Sequence, residues 1–209
     1  MKIVPALLAE DFRTFTDLVR LAERFTDYVQ VDLMDGRLVP THSFPAKDLN
    51  NLVTSLCFEV HLMGEDPRAA FEGLHNPMLR QLVFHIESGV RAQEMVRTIR
   101  GKGLKAGIAL NPGTDVEVLR GLEGVDAVLV MTVDPGRYGS PFRAEGLEKI
   151  AGIRRLLPGC AVGVDGGVSL DNLQMIRDAG ADYACVGSRI LLQPDPGASY
   201  REFVRRSNR

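Results

Sequence analysis

The chain has 209 residues, 45 % of them hydrophobic and 25 % charged, which is enough length and apolar content to bury one large core. A formal net charge of -2 leaves no electrostatic footprint for nucleic acid or for an anionic membrane. The three cysteines, Cys57, Cys160 and Cys185, lack CxxC spacing and so exclude a disulfide or zinc framework; they read as small buried hydrophobes of a reducing compartment.

From the N-terminus, Met1 to Leu8 is apolar for only a few residues before Glu10 and Asp11 interrupt it. That is too short for the core of a signal peptide, and no later run approaches the ~18 residues of a membrane span, so a cytoplasmic protein is expected. Short runs rich in Val, Ile and Leu then alternate with helical patterns, without a linker or low-complexity block between them. Strands are expected over Ile3 to Leu8, Tyr28 to Met34, Cys57 to Met63, Gln81 to His85, Lys105 to Leu110, Ala127 to Met131, Ala161 to Asp165 and Tyr183 to Gly187. Helical spacing recurs from Phe12 to Phe25, with Asp11 placed to cap it, and from Arg91 to Lys102 through Met95, Val96 and Ile99. Ser169, followed three residues on by Asn172, opens another helix before Leu173 and Ile176. Arg201, Arg205, Arg206 and Arg209 read as the solvated face of a last helix. Strands alternating with helices imply parallel pairing, because each crossover needs a helix to bring the chain back. Eight such units over residues 1–209 predict one closed (β/α)8 TIM barrel in a single α/β domain.

Barrels gather reactive groups at the C-terminal ends of their strands, and strand alternation sorts which side chains point inward. In the second strand Gln30, Asp32 and Met34 share one face; in the third Glu59, His61 and Met63 do; the sixth ends in Met131 and the seventh in Asp165. Gln30, Asp32, His61 and Asp165 therefore converge on one central region. Two converging buried carboxylates need positive charge between them, and a divalent metal supplies it. Glycines follow the last strands as Asp134-Pro135-Gly136-Arg137-Tyr138-Gly139-Ser140, Asp165-Gly166-Gly167 and Val186-Gly187-Ser188. Loops of that kind let backbone amides close around a phosphate, so the expected substrate is a small phosphorylated molecule.

These segments resemble the ribulose-phosphate 3-epimerase family of cytoplasmic barrel isomerases. The resemblance is carried by Pro5-Ala6-Leu7-Leu8-Ala9-Glu10-Asp11-Phe12, Val31-Asp32-Leu33-Met34-Asp35-Gly36 with Val39-Pro40, Glu59-Val60-His61-Leu62-Met63, Ala109-Leu110-Asn111-Pro112-Gly113-Thr114, Met131-Thr132-Val133-Asp134-Pro135-Gly136, Val164-Asp165-Gly166-Gly167 and Gly187-Ser188. It implies a metal-dependent epimerase of sugar metabolism that inverts C3 of a ketose phosphate, D-ribulose 5-phosphate to D-xylulose 5-phosphate, through an enediolate. Asp32 and Asp165 match the two acid–base carboxylates. Epimerisation takes a proton from one face and returns one to the other, which a single base does poorly. Gln30, Asp32, His61 and Asp165 match the metal ligands, and Met34, Met63 and Met131 match a methionine lining around the intermediate. Ala6, His61, Gly136, Gly139, Gly166, Gly167, Gly187 and Ser188 complete the expected substrate contacts. Homo-oligomers are common in the family, so self-association is carried over as an expectation.

The chain departs from the family at several of these positions. Gln30 stands where the family has its first histidine ligand; an amide oxygen is a harder, weaker donor, which shifts the expected ion from Zn or Fe toward Mn or Mg. Ala6 and Ala9 replace two serines near the first strand. Arg137 and Tyr138 alter the loop after the sixth strand, with Arg137 expected to face water. Thr41-His42-Ser43 differs from the usual Asn after Val-Pro, with His42 expected as a plain loop residue, while His85 in Phe84-His85-Ile86-Glu87 is expected to support the site without binding metal. Two further readings follow: an epimerase of a six-carbon ketose phosphate such as D-allulose 6-phosphate, and a weakly catalytic paralogue that binds a sugar phosphate. Related decarboxylases and synthases place a lysine between carboxylates, and neither Val31 to Gly36 nor Glu59 to Met63 contains one.

Overall fold

The computed structural model describes residues 1–136 and 139–208; Arg137, Tyr138 and Arg209 lie outside the described residues, and with them the expectations stated for those three side chains. Eight strands, β1 (Lys2–Leu8), β2 (Tyr28–Met34), β3 (Cys57–Met63), β4 (Leu79–His85), β5 (Lys105–Leu110), β6 (Ala127–Met131), β7 (Ala161–Asp165) and β8 (Tyr183–Val186), close in chain order into one parallel barrel. Five of these have the bounds their composition predicts. β4 begins two residues earlier than Gln81, where the amide of Leu79 turns back to Asn76 O at 3.1 Å.

Among the described residues, seven helices surround the barrel: α1 (Phe12–Ala22), α2 (Pro67–Glu72), α3 (Ala92–Gly101), α4 (Lys149–Leu156), α5 (Leu173–Asp178), α6 (Ser188–Leu191) and α7 (Pro196–Ser207). In α1 the Asp11 carboxylate accepts from Thr14 N at 2.9 Å, satisfying an orphan amide, while Phe15, Val19 and Ala22 face the strands. The helix stops at Ala22, short of the expected Phe25, because Phe25 turns out of it to pack against the ring of Tyr200 on α7 at 5.3 Å. Two crossovers depart from the expectation of a helix in each. Short 3-10 segments, Ala46–Asn51 and Val116–Leu119, serve between β2 and β3 and between β5 and β6. In the first, Pro45 holds an extended backbone immediately before the turn; in the second, the chain bends again at Gly121 and Gly124 in positive φ. Asn172 makes no cap to α5; its side chain accepts from Ser169 N at 2.8 Å and donates to Gly167 O at 3.0 Å, tying down the loop after β7.

Alternation along each strand produces two apolar layers. Outward residues such as Leu7, Val31, Phe58, Leu82, Ile108 and Val162 join Phe15, Met95, Ile99, Ile153 and Phe203 of the helices in the larger core. The barrel interior is a smaller cluster of Val4, Ala6, Val83, Ala109, Leu129, Met131, Tyr183 and Cys185. Tyr183 fills the interior only because its strand neighbour across the register is Gly163, where an added Cβ would stand 2.1 Å from the ring. Beneath the functional layer, Glu59 Oε2 accepts from Tyr28 Oη at 3.2 Å and Gln81 Nε2 at 2.9 Å, and burial pushes its carboxyl up to about 7. Among the described residues, no helix is long and apolar enough to cross a membrane.

Candidate active site

Strand register sets the site. Gln30 lies beside Ala6 and Glu59, Asp32 beside His61, Met34 beside Met63, and Met131 beside Asp165. Asp32 and Asp165 thus arrive from strands separated by β1 and β8, and both open onto a cavity of about 340 Å³ at the C-terminal end of the barrel. His61 and Gln30, each 0 % exposed, sit behind the carboxylates. His61 Nδ1 is 3.3 Å from Asp32 Oδ1 and 3.4 Å from Asp165 Oδ2. Gln30 Nε2 donates to the same two oxygens, at 2.9 Å to Asp32 and 2.8 Å to Asp165.

Burial opposes charge on every group here, and the outcome differs with the partners. Burial raises the Asp32 carboxyl against the pull of its His61 hydrogen bond, and the charge of Asp165 adds to the rise. Burial also disfavours the His61 imidazolium, but the hydrogen bonds to Asp165 and Asp32 outweigh it and push His61 up to about 9. On its other edge His61 Nε2 stands 2.9 Å from His85 Nε2, and His85 Nδ1 is 3.3 Å from Glu87 Oε2. Burial pulls the His85 imidazole down, which suits a neutral ring accepting from His61 and donating to Glu87. For Glu87, hydrogen bonds from His85, Thr114 Oγ1 and the Asn111 amide overcome desolvation and hold the carboxyl at about 2. This chain engages Nε2 of His61 and leaves Nδ1 aimed between the carboxylates. His85, at the end of β4, thus touches His61 on one edge and Glu87 on the other.

Ligand atoms of Asp32, His61 and Asp165 all lie within 4.8 Å of one another. Two buried carboxylates and one oriented imidazole nitrogen fit a divalent cation, which would supply the positive charge that this pocket otherwise takes from a proton on His61. The remaining expected residues gather around the same cavity. Ala6, Met63 and Met131 form part of its wall, and Met34 packs behind with Val39 and Met63. Gly136 and Gly139 flank the two undescribed residues and line one side; Gly166, Gly167, Gly187 and Ser188 line another. Gly166 and Gly167 adopt φ of 111° and 64°, which an L side chain rarely takes, and this lets the loop run against Val133 and Phe142.

Three features escaped the sequence pattern. Cys185 borders the cavity and donates its thiol to Gln30 Oε1 at 3.0 Å, more than the inert hydrophobe expected of it. Its place beside Tyr183 and Gly187 on the inward face of β8 was the available signal. Arg189, one residue past the expected Ser188, is an exposed cation at the same rim. Asp35 accepts from Arg37 N, Leu38 N and Glu65 N, joining the loops after β2 and β3. His42, expected as a plain loop residue, forms an isolated antiparallel bridge with Asp35, and Thr41 Oγ1 donates to Gly136 O at 2.7 Å.

Fold and site together define a parallel-barrel enzyme with paired carboxylates and a metal-fitting histidine beneath a glycine-lined cavity. The sequence matches the ribulose-phosphate 3 epimerase family over residues 2–191, and the chain belongs to that family of isomerases. It is 38 % identical over 194 residues to a ribulose-phosphate 3-epimerase of Treponema pallidum, covering 89 % of each chain. It is 33 % identical over 204 residues to the cytoplasmic isoform of ribulose-phosphate 3-epimerase from Oryza sativa, covering 94 % of this chain and 90 % of the relative. Among solved structures, a 3-hexulose-6-phosphate synthase from Salmonella typhimurium superposes with a TM-score of 0.70 over 100 % of this chain and 99 % of its own, at 15 % identity, a likeness of fold alone.

Proposed function

We propose that this protein interconverts D-ribulose 5-phosphate and D-xylulose 5-phosphate by inverting C3. The observation that carries the reading is the meeting of Asp32 and Asp165, from β2 and β7, at the floor of one cavity. One carboxylate takes the C3 proton, an enediolate forms, and the other carboxylate returns a proton from the opposite side. His61, held by His85 and Glu87, keeps Nδ1 between the two acids throughout. Met63 and Met131 wall the reacting carbons off from water without competing for a proton. A divalent ion held by Asp32, His61 and Asp165, with Gln30 as their neighbour, would offset the negative charge that develops on the sugar oxygens. The oxygen-rich donor set favours a hard ion, Mn²⁺ or Mg²⁺, over Zn²⁺ or Fe²⁺. The Gly166-Gly167 and Gly187-Ser188 backbones take the phosphate, with Arg189 at the rim as its counter-charge. The cytoplasm is the compartment we assign, in line with the name of the rice relative.

A second reading keeps the reaction and lengthens the sugar. Ala6 presents a methyl group to the cavity where the family resemblance places a serine, and this suits a six-carbon ketose phosphate such as D-allulose 6-phosphate. Incubating the Mn²⁺-loaded protein with D-ribulose 5-phosphate in D₂O should yield D-xylulose 5-phosphate carrying deuterium at C3. Neither product nor label would remove the first reading. A panel of ketose phosphates in the same assay then separates the second reading from a binder that turns over none of them.

A further inference from the structure

The Gln30 amide faces the site with its nitrogen. Nε2 spends its two hydrogens on Asp32 Oδ1 at 2.9 Å and Asp165 Oδ2 at 2.8 Å, while Oε1 points away and accepts from Cys185 Sγ at 3.0 Å. Both residues are buried, Gln30 at 0 % and Cys185 at 2 % exposure. The chemistry of the neighbours dictates this orientation. Turned over, the carbonyl oxygen would face two carboxylate oxygens with no hydrogen between them, and the N–H groups would face sulfur, a weak acceptor. Cys185 can reach the far side of the amide because it pairs in register with Asp165 on the adjoining strand. The thiol, the amide and both carboxylates thus form one continuous run of donors and acceptors, which His61 Nδ1 joins at the same two carboxylate oxygens.

We propose that Gln30 is a positioning donor to the two acid–base carboxylates, latched in that orientation by the Cys185 thiol, and that the protein offers a cation three ligand side chains: Asp32, His61 and Asp165. The inference rests on the metal-assisted reading above and deepens it. Gln30 holds the two carboxylates at a fixed separation whether or not a cation is bound. With only three protein ligands, the cation keeps more positions open to substrate oxygens. The glutamine then reports a change in how the carboxylates are held, instead of a weaker fourth ligand.

The test uses the whole protein. Gln30→Met keeps the length of the side chain and removes both the N–H donors and the hard oxygen. The Mn²⁺ dissociation constant, read by EPR of free Mn²⁺, should stay within about threefold of wild type, while the Tm of the metal-free variant falls. Weakening beyond threefold overturns the three-ligand assignment, and an unchanged metal-free Tm overturns the donor role. Cys185→Val should lower the metal-free Tm and Cys185→Ser should restore it; equal values for the two sink the latch. Should Gln30→Met fail to fold, ¹⁵N NMR of glutamine-labelled wild type decides. The Gln30 side-chain amide, assigned through its contacts with Cys185, should resist hydrogen exchange both without metal and with saturating Mg²⁺, and loss of that protection with Mg²⁺ refutes the proposal. Absence of any Mn²⁺ binding by wild type would overturn the metal-assisted reading and the three-ligand assignment with it, while the metal-free NMR still decides the donor role of the amide.

Discussion

At Asp165 the proposed chemistry depends on a single oxygen pair. Replacing it with asparagine keeps the shape and leaves one face of C3 without a base, so Asp165→Asn should cut turnover by at least about 10³-fold, near the upper range for general acid–base groups. Affinity for inorganic phosphate should change little, because backbone amides and not the Asp165 side chain hold it; full activity in the variant would refute the two-carboxylate mechanism. Arg189 allows a complementary split. Arg189 is an exposed cation lining the cavity, and the proposed reaction gives it no proton to move, so Arg189→Ala should raise KM for the sugar phosphate about tenfold and leave kcat within about twofold. A fall in kcat at constant KM would move Arg189 out of the phosphate site. Asp32, His61 and Asp165 were legible at this scale because charged residues on an inward strand face have few other uses. Arg189 was not, since an arginine after a strand is most often solvated.

Strand β7 shows how an element depends on one small residue. Gly163 leaves space for the Tyr183 ring, and a methyl group there would overlap it at 2.1 Å. Gly163→Ala should destabilise the protein by about 1–3 kcal/mol through overpacking of the barrel interior, read from the denaturant midpoint. Combining it with Tyr183→Leu should recover part of that loss; no recovery would mean the clash lies in the backbone of β7. Periodicity located this strand and its inward face correctly. It could not say which glycine faces a ring, because that depends on β8, 20 residues further along, reaching the same level through the register Gly163 to Tyr183. The 3-10 segments carry the same lesson. Ala46–Asn51 and Val116–Leu119 are crossovers whose local signals resemble short helices, and closure of the barrel sets how far each has to reach.

Across the whole molecule, acid sensitivity should centre on the Glu87 chain. Its hydrogen bonds hold the carboxyl at about 2 in the folded chain, below the 4.5 of an unperturbed glutamate. A depressed folded value means stability that is fully present above about pH 4.5 and lost as pH falls toward 2. The contribution is on the order of 3 kcal/mol at most. Glu87→Gln should therefore lower the Tm at pH 7 and flatten its fall between pH 4.5 and 2; a variant with the wild-type slope would place acid sensitivity elsewhere. The chain from Glu87 through His85 and His61 to Asp32 and Asp165 joins four of the eight strands, β4, β3, β2 and β7, so its loss should loosen the functional end of the barrel before the outer core.

Local patterning alone specified the eight strands, their inward faces and the convergence of two aspartates and a histidine, because side-chain period and burial cost act over a few residues. The family resemblance added the reaction. Only the closed barrel decided which way the Gln30 amide turns. That choice depends on Asp165 and Cys185, far away in sequence, and an amide has two chemically opposite edges of nearly the same shape that only its neighbours can tell apart.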